Sequence, residues 1–230
     1  MNTNFQYHAK QRVSIIWQAK AACTIVNKMY YEEEGLLDTA LEYSSWIHNY
    51  RKKHNKETGK IRHNSILSPK TKYVQFVVNP YRRAVSSYIH SCKKNYAGLA
   101  NPHISFDEFC DKILNDEIVN EIHHNRQIFH LHAQKPIHYV KMENIEEELP
   151  KLNAKYGLHY SLKSSKHHAT THDISETFLG KTSWRDISQI PKDYTNFYND
   201  EIKKKVGIIY GSDIKHFKYT WDEFVQYSKK

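Results

Sequence analysis

The stretch VSIIWQAKAACTIVNKMYYEEEG, residues 13–35, predicts the local structure around which the fold is organised. It begins with a β-branched and aromatic run, 13–17, of the kind that forms a buried strand. Small residues and Lys20 follow, and from Thr24 apolar residues recur at helical spacing until Gly35 ends the helix. This order predicts a cradle for phosphate, because the first helix amides and the positive end of the helix dipole attract anions.

The loop in this stretch is not a Walker A motif. That motif needs glycines, and the chain has none before Gly35. The sequence also offers no clear magnesium-binding acid of the kind that a nucleoside triphosphatase requires. An ordinary strand–turn–helix with a surface lysine explains the stretch equally well, so the stretch alone does not decide the function.

The composition predicts a folded protein of one domain, 1–230, that binds anions. The chain is 39% hydrophobic and 13% aromatic, which is enough to build a core. Its net charge of +9 leaves nucleic acid, nucleotides, sulfated sugars and membrane surfaces open as ligands.

Three cysteines without CxxC spacing fit a reducing compartment. No signal peptide or membrane-spanning run is recognisable, so we expect a cytoplasmic protein.

The chain contains 16 histidines, so a metal site has to be considered. His130 and His132 alternate as residues on one face of a strand do, and a second group comprises His167, His168 and His172. Neither group has a cysteine or carboxylate at a usual ligand spacing, and no HExxH motif occurs. We therefore predict that the protein has no metal site.

A second strand–turn–helix follows further along the chain. Residues 73–78 read as a strand, Pro80 ends it, and 81–94 have helical spacing. The first two turns of this helix carry two cations and a hydroxyl: Arg82, Arg83 and Ser86. The pattern predicts a second anion subsite, and the alternative is a basic exposed helix face.

Both units resemble the donor-binding motifs of PAPS-dependent sulfotransferases, the carbohydrate-type family in particular. VSIIWQAKAACT (13–24) resembles the 5′-phosphosulfate loop of that family, and FVVNPYRRAVSSY (76–88) resembles its 3′-phosphate motif. Three further segments match in family order: 121–127, where His123 and Gln127 fit H-x-x-x-Q, then 137–152 and 197–219. The chain is thus identified as a soluble, bacterial- or viral-like member of the family.

The resemblance implies an α/β fold, a three-layer sandwich with a central parallel sheet and a P-loop-like nucleotide site. It implies an enzyme that moves a sulfuryl group from PAPS to a hydroxyl of a carbohydrate or other alcohol, without a metal. The alternative is a non-catalytic protein on a similar scaffold that binds polyanions or nucleic acid. No nucleic-acid-binding motif is recognisable, so nucleic acid is not the expected partner.

The resemblance also implies roles for individual residues. Lys20 would contact the bridging oxygen of the leaving group. The loop that holds the 5′-phosphosulfate would comprise Lys20, Ala21, Ala22, Cys23 and Thr24. A base must also deprotonate the acceptor. His48, chosen for its place on an expected strand after the first unit, and His123, which matches a family position, are equal candidates, with the acids of 32–34 behind them.

The sequence departs from the family pattern at two positions. Ala19 stands where the family has proline before the loop lysine, and Val78 stands where it has the arginine of the 3′-phosphate motif. Ser86 matches the other 3′-phosphate ligand of the family. The cations that could replace the missing arginine are Arg82, Arg83, Lys181 and Arg185.

The remaining segments read as scaffold. Residues 51–70 and 161–185 are polar and predict exposed loops. Helix N-caps are predicted at Ser105, Asn144 and Thr220, each followed three residues later by glutamate.

Overall fold

The structure is a computed structural model that describes residues 4–94, 103–118, 122–128, 135–163, 171–173 and 177–228, without the side chains of 59–67 and 94. The chain divides into two compact units. The sheet unit comprises Met1–Val77 and Phe129–His168, and the helical unit comprises Val78–Ile128 and Ala169–Lys230. One domain over 1–230 stays a prediction.

The sheet unit contains four strands in the order β1-β2-β3-β4. They are β1 (Asn4–His8), β2 (Val13–Trp17), β3 (Lys72–Val77) and β4 (Ile137–Lys141). The pairs β2–β3 and β3–β4 are parallel, with Ile15 opposite Val74 and Gln75 opposite Tyr139. A largely parallel sheet with helices packed against it confirms the predicted α/β fold class.

The helices follow the spacing of the apolar residues. In chain order they are α1 (Cys23–Glu33), α2 (Leu37–Tyr43), α3 (Ile47–Leu67), α4 (Pro80–Lys94), α5 (Phe106–Leu114), α6 (Ile145–Tyr156), α7 (Asp200–Ile209), α8 (Gly211–Phe217) and α9 (Trp221–Ser228). Pro80 opens α4, where a missing amide hydrogen costs nothing. Among the described residues, none of these helices is long and apolar enough to cross a membrane.

The edge strand β1 was not predicted, because its sequence NFQYH is polar. Its polar side chains are buried with partners that lie far away in the chain. Gln6 donates to Asn27 Oδ1 and to the Tyr31 hydroxyl, both at 3.0 Å. His8 is fully buried, with Nδ1 2.5 Å from a Glu34 carboxylate oxygen and Nε2 2.6 Å from the Tyr160 hydroxyl. These contacts replace the water that the polar groups lose on burial.

The prediction of an exposed loop over 51–70 is wrong, because most of this segment belongs to α3. The segment is rich in lysine and also contains arginine, and both residue types favour helix when one face finds a packing partner. That partner exists, since Ile47, Tyr50 and Tyr31 lie in one buried cluster and the His54 ring packs against Tyr50. By contrast, the described residues of 161–185 contain neither an α-helix nor a strand.

The helical unit is built around aromatic side chains. Tyr88 of α4 contacts Phe106 and Phe109 of α5 as well as Phe197, with ring centroids 5.4–6.0 Å apart. Phe224 of α9 is buried in the same cluster. Residues 197–219, the last segment that resembles the family, contain the successive helices α7 and α8.

The predicted N-caps do not all form. The Ser105 side chain accepts from the Glu108 amide and the Glu108 carboxylate accepts from the Ser105 amide, a complete capping box. Thr220 and Glu223 make the same pair of contacts at α9. Asn144 precedes α6 as predicted, but its side chain caps nothing.

We predict that Ser105→Ala lowers the free energy of unfolding by about 1 kcal/mol, because an amide of α5 loses its acceptor. For a chain of this size, this corresponds to a fall in Tm of about 2–4 °C. Asn144→Ala is the matched control and should change stability by less than about 0.5 kcal/mol. Thermal unfolding followed by circular dichroism measures both variants. Equal losses in the two variants would contradict the assigned caps.

Candidate functional site

The loop between β2 and α1 has an unusual backbone for a segment without glycine. Lys20 has φ 64° and Ala22 has φ 56°, both in the left-handed region. Such a conformation costs of order 1 kcal/mol or more for each non-glycine residue, and residues of this kind concentrate at ligand-binding sites. The amide of Ala21 donates to the Gln18 carbonyl at 3.0 Å and closes the turn.

The loop leads into a helix start that no side chain caps. Ala22 is the N-cap residue of α1, and its side chain has no polar atom that could accept from the first amides. The amides of Cys23, Thr24 and the next residue have no intrahelical acceptor, as in every α-helix. They are therefore suited to bind an anion, and the phosphosulfate site itself stays a prediction. The Ala21 amide is different, because the turn already occupies it.

His48 lies against this helix start. Its Nε2 atom is 3.3 Å from Thr24 Oγ1 and 3.5 Å from Cys23 Sγ. The prediction that His48 lies on a strand is wrong, because His48 lies in the first turn of α3. Since α1 and α3 pack together, two candidate residues from separate parts of the sequence meet at one place.

Arg51, one turn after His48, was not predicted as a site residue. Its Nη1 atom donates to Asn4 Oδ1 at 2.5 Å, and its guanidinium lies 5.9 Å from the centroid of the Trp17 ring. Burial lowers its pKa, and the nearby Cys23 thiol opposes that shift. No carboxylate in the described part of the chain forms an ion pair with Arg51. The only sequence signal for Arg51 is its spacing of three residues from His48, which places the two side chains on one helix face. The signal has no meaning if the segment is predicted to be a loop.

The glutamates at 32–34 lie at the other end of α1. Eleven residues of α-helix separate the ends by about 15 Å. Glu33 accepts from the His159 amide at 2.7 Å, and Glu34 contacts His8. These acids therefore have structural partners and are too far from the loop to take a proton there.

In the helical unit, Val78 is held by the side chain of Gln127. The Val78 amide donates to Gln127 Oε1 at 2.9 Å, and Gln127 Nε2 donates to the Val78 carbonyl at 2.8 Å. The amides of Gln127 and Ile128 donate to the buried Asp213 carboxylate at 2.7 and 3.2 Å. Burial raises the pKa of Asp213, and these backbone bonds oppose that shift. Gln127, which matches a family position, thus binds the backbone of the residue that directly follows β3.

The two arginines of α4 differ in exposure: Arg82 is partly exposed and Arg83 is buried. Arg83 is 1% exposed and donates to the His123 carbonyl at 3.3 Å, and burial lowers its pKa. The Arg82 guanidinium lies 5.1 Å from the Tyr194 ring centroid and 4.7 Å from that of Tyr227. Whether either cation replaces the missing phosphate-binding arginine stays a prediction, and the burial of Arg83 makes Arg82 the more accessible of the two.

The start of α4 also differs from that of α1. Asn79 Oδ1 accepts from the Tyr81 amide at 3.1 Å, so a side chain caps part of this helix start. Ser86 is partly exposed on α4, which is compatible with a ligand. Arg185 is exposed in a 3-10 turn, whereas Lys181 forms an ion pair with Glu201 at 2.8 Å. The second predicted anion subsite stays a prediction, in which Ser86 and Arg185 are more exposed than Arg83.

His123 and its neighbour have different surroundings. The His123 ring is partly exposed and packs against His90, with centroids 4.3 Å apart. The His124 ring is buried between Ser87 Oγ at 2.5 Å and Ser91 Oγ at 3.3 Å. His123 is therefore the more accessible of the two, and His124 has a structural role.

The described residues contain no group of three or more histidine, cysteine, aspartate or glutamate side chains that could hold a metal ion. His172 is exposed. The other histidines considered as ligands lie outside the described residues: His130, His132, His167 and His168.

The comparison with known proteins gives one finding. A family model described as "Sulfotransferase family" matches residues 13–220, which is most of the chain and includes the loop, α1 and α3. No curated protein and no solved structure gives a significant match.

We predict that Cys23 is the first of the three cysteines to react with iodoacetamide. Cys23 is partly exposed at a helix start, whereas burial raises the pKa of Cys92 to about 12 and that of Cys110 further. Partial labelling followed by peptide mass spectrometry measures the three rates. The unfolded protein in urea is the control, in which the rates should converge. Labelling of Cys92 as fast as Cys23 would contradict the described loop.

Proposed function

Because the chain belongs to the sulfotransferase family, we propose that it transfers a sulfuryl group from PAPS to a hydroxyl of a carbohydrate or other alcohol. The observation that carries this proposal is the uncapped start of α1 behind a strained loop that contains Lys20. Neither feature helps the fold by itself, since a capped helix and a relaxed loop would be more stable. Both are useful if an anion binds there.

The loop residues suit the 5′-phosphosulfate end of such a donor. The amides of Cys23 and Thr24 and the Thr24 hydroxyl would donate to its oxygens, and Lys20 would neutralise charge on the bridging oxygen. Arg51 supplies a second cation close to Cys23. For the 3′-phosphate, Arg83, Ser86 and Arg185 stay predictions from the resemblance.

Sulfuryl transfer forms a bond between the acceptor oxygen and sulfur and breaks the bond between sulfur and the oxygen of the 5′-phosphate. PAP leaves, and the acceptor hydroxyl loses its proton. We assign that proton to His48, because its Nε2 atom lies 3.3 Å from Thr24 Oγ1 at the start of α1. A contact of this length can be exchanged for an acceptor hydroxyl. The contacts described for His123 are with other residues of the helical unit.

Calorimetric titration with PAP tests the donor site. Lys20→Ala should weaken PAP binding by about tenfold or more, because a charged hydrogen bond to phosphate is lost. Ser86→Ala should also weaken it if this residue holds the 3′-phosphate. Lys10→Ala is the matched control, because Lys10 is an exposed lysine in the turn between β1 and β2. Equal affinity of the Lys20→Ala variant and the wild type would refute the proposed donor site.

Transfer of radiolabelled sulfate from PAPS to a panel of saccharides tests the base. His48→Gln should lower kcat by about 10²–10⁴ and leave PAP affinity unchanged, because a base acts on the acceptor rather than on the donor. His123→Gln is the comparison variant and should keep most of the activity. The opposite result, with activity lost in His123→Gln alone, would move the role of base to His123. A loss of PAP affinity in His48→Gln would instead indicate that His48 only supports the loop.

A further inference from the structure

Exposed apolar side chains in the described part of the chain are concentrated in one short segment. Seven large hydrophobic side chains are exposed there, and three of them lie within six residues: Leu41, Tyr43 and Trp46. The other four lie one by one in separate parts of the helical unit. Single exposed apolar residues are normal on a protein surface, whereas a concentration of them indicates a surface that another molecule covers.

Both aromatic rings of this segment are held in place by buried rings. Tyr43, the last residue of α2, is 53% exposed, and its ring packs edge-to-face against the buried Tyr50 with centroids 5.9 Å apart. Trp46 is 52% exposed and packs in the same way against the buried His48, at 5.3 Å. Since each ring is already fixed on the protein side, little side-chain entropy is lost when a partner covers the other side.

The neighbouring face of α3 is cationic. A groove of about 590 Å³ is lined by Tyr43, Ser44, Asn49, Lys52, Lys53 and Lys56. The three lysines are exposed, and in the described part of the chain no carboxylate forms an ion pair with any of them. The exposed acids nearest to them in the chain, Glu42 and Glu57, do not line the groove. The charge of this face therefore favours a partner that is anionic.

The rings and the cations form one continuous surface. Lys52 Nζ lies 5.5 Å from the centroid of the Trp46 ring, and Lys53 Nζ lies 4.8 Å from that of Tyr43. Trp46 does not line the groove, so it lies at its rim, beside Lys52. We call these side chains, together with Lys56, the aromatic–lysine surface.

This combination of groups suits the headgroup region of an anionic lipid bilayer. Indole and phenol rings favour the boundary between headgroups and acyl chains, because each has an apolar body and a polar tip. Ammonium groups beside them bind the phosphate and carboxylate groups of anionic lipids. The groove offers room for headgroups between the lysines, while the exposed rings at its side reach towards the acyl chains.

Single-stranded nucleic acid also binds to surfaces that combine cations with aromatic rings, but it does so by stacking its bases on open ring faces. In the aromatic–lysine surface an ammonium group lies over one face of each ring. The faces are therefore less available for stacking than the ring edges are for insertion between lipids. This difference favours a bilayer over a nucleic acid as the partner.

We propose that the aromatic–lysine surface binds an anionic bilayer, with its lysines on the headgroups and the rings of Tyr43 and Trp46 inserted among them. The protein is then held at a membrane surface through the sheet unit. This inference goes beyond the proposed sulfuryl transfer and does not depend on it, because Lys20 and the start of α1 do not belong to the surface.

Co-flotation with lipid vesicles tests the proposal. The probes are vesicles of phosphatidylcholine alone and vesicles of equal parts phosphatidylcholine and phosphatidylserine. The protein should float with the mixed vesicles, stay unbound with phosphatidylcholine alone, and dissociate as salt is added. The variant Lys52→Ala/Lys56→Ala should bind the mixed vesicles about tenfold more weakly or worse, because each lysine near a charged bilayer contributes roughly fivefold.

Tryptophan fluorescence tests whether the ring enters the bilayer. Of the four tryptophans in the chain, Trp46 alone is exposed. Brominated phosphatidylcholine in the mixed vesicles should quench the emission of the wild type. The variant Trp46→Phe should keep most of the vesicle binding and lose this quenching. Binding of the wild type without quenching would show that the ring stays in water, and the proposal would then be wrong.

Two variants are matched controls for the vesicle experiment. Lys10→Ala/Lys70→Ala removes the same charge from exposed turns, and Ile208→Ala truncates a side chain that is 61% exposed in α7. Both should bind the mixed vesicles like the wild type. An equal loss in the lysine control would assign the binding to the net charge of the whole chain. A protein that binds an oligothymidylate but not the mixed vesicles would have a nucleic-acid surface instead. Either result would overturn the proposal.

Discussion

The change of direction between β2 and α1 is the constraint on which the candidate site depends. The chain leaves a fully buried strand and starts a helix within five residues that include no glycine, so Lys20 and Ala22 adopt left-handed conformations. Packing on both sides of the turn must compensate for that strain, and the buried residues of β2 and α1 provide it. The result is a rigid helix start whose amides stay free of side-chain caps. A flexible loop of glycines could bind the same anion, but it would lose more conformational entropy on binding.

The two helix starts that resemble the family motifs have different physical properties. At α4, polar groups that the family pattern suggests for phosphate are used inside the helical unit: Asn79 caps the helix, and Arg83 donates to a backbone carbonyl. The cost of burying an arginine is high, so a buried guanidinium needs polar partners in the unit around it. At α1, the corresponding small residues Ala21 and Ala22 have no polar side-chain atoms to offer. A motif match therefore says less about function than the direction in which each side chain points.

Some of this structure could be predicted from sequence because it depends on local pattern. The apolar runs of β2 and β3, the helical spacing of α1 and α4 and the capping box at Ser105 are short-range signals. The errors share one cause, which is dependence on distant partners. The strand β1 is polar, and Gln6 and His8 can be buried only because Asn27, Tyr31, Glu34 and Tyr160 satisfy them. The basic residues of α3 resemble a solvated loop until Tyr31 provides a surface for Tyr50 and His54 to pack against. Arg51 could not be recognised as a site residue before the helix was known.

The cations of α3 also show why a high net charge need not be a diffuse surface property. Arg51 is partly buried beside Trp17, while the side chains of Lys52, Lys53 and Lys56 are exposed. A guanidinium is weakly hydrated and stacks on aromatic rings, so it tolerates this position better than an ammonium group, which holds its water strongly. One helix therefore directs an arginine and His48 towards the start of α1 and a row of lysines towards solvent. Because both sets belong to the same helix, the distance between them is fixed by helix geometry rather than by a loop.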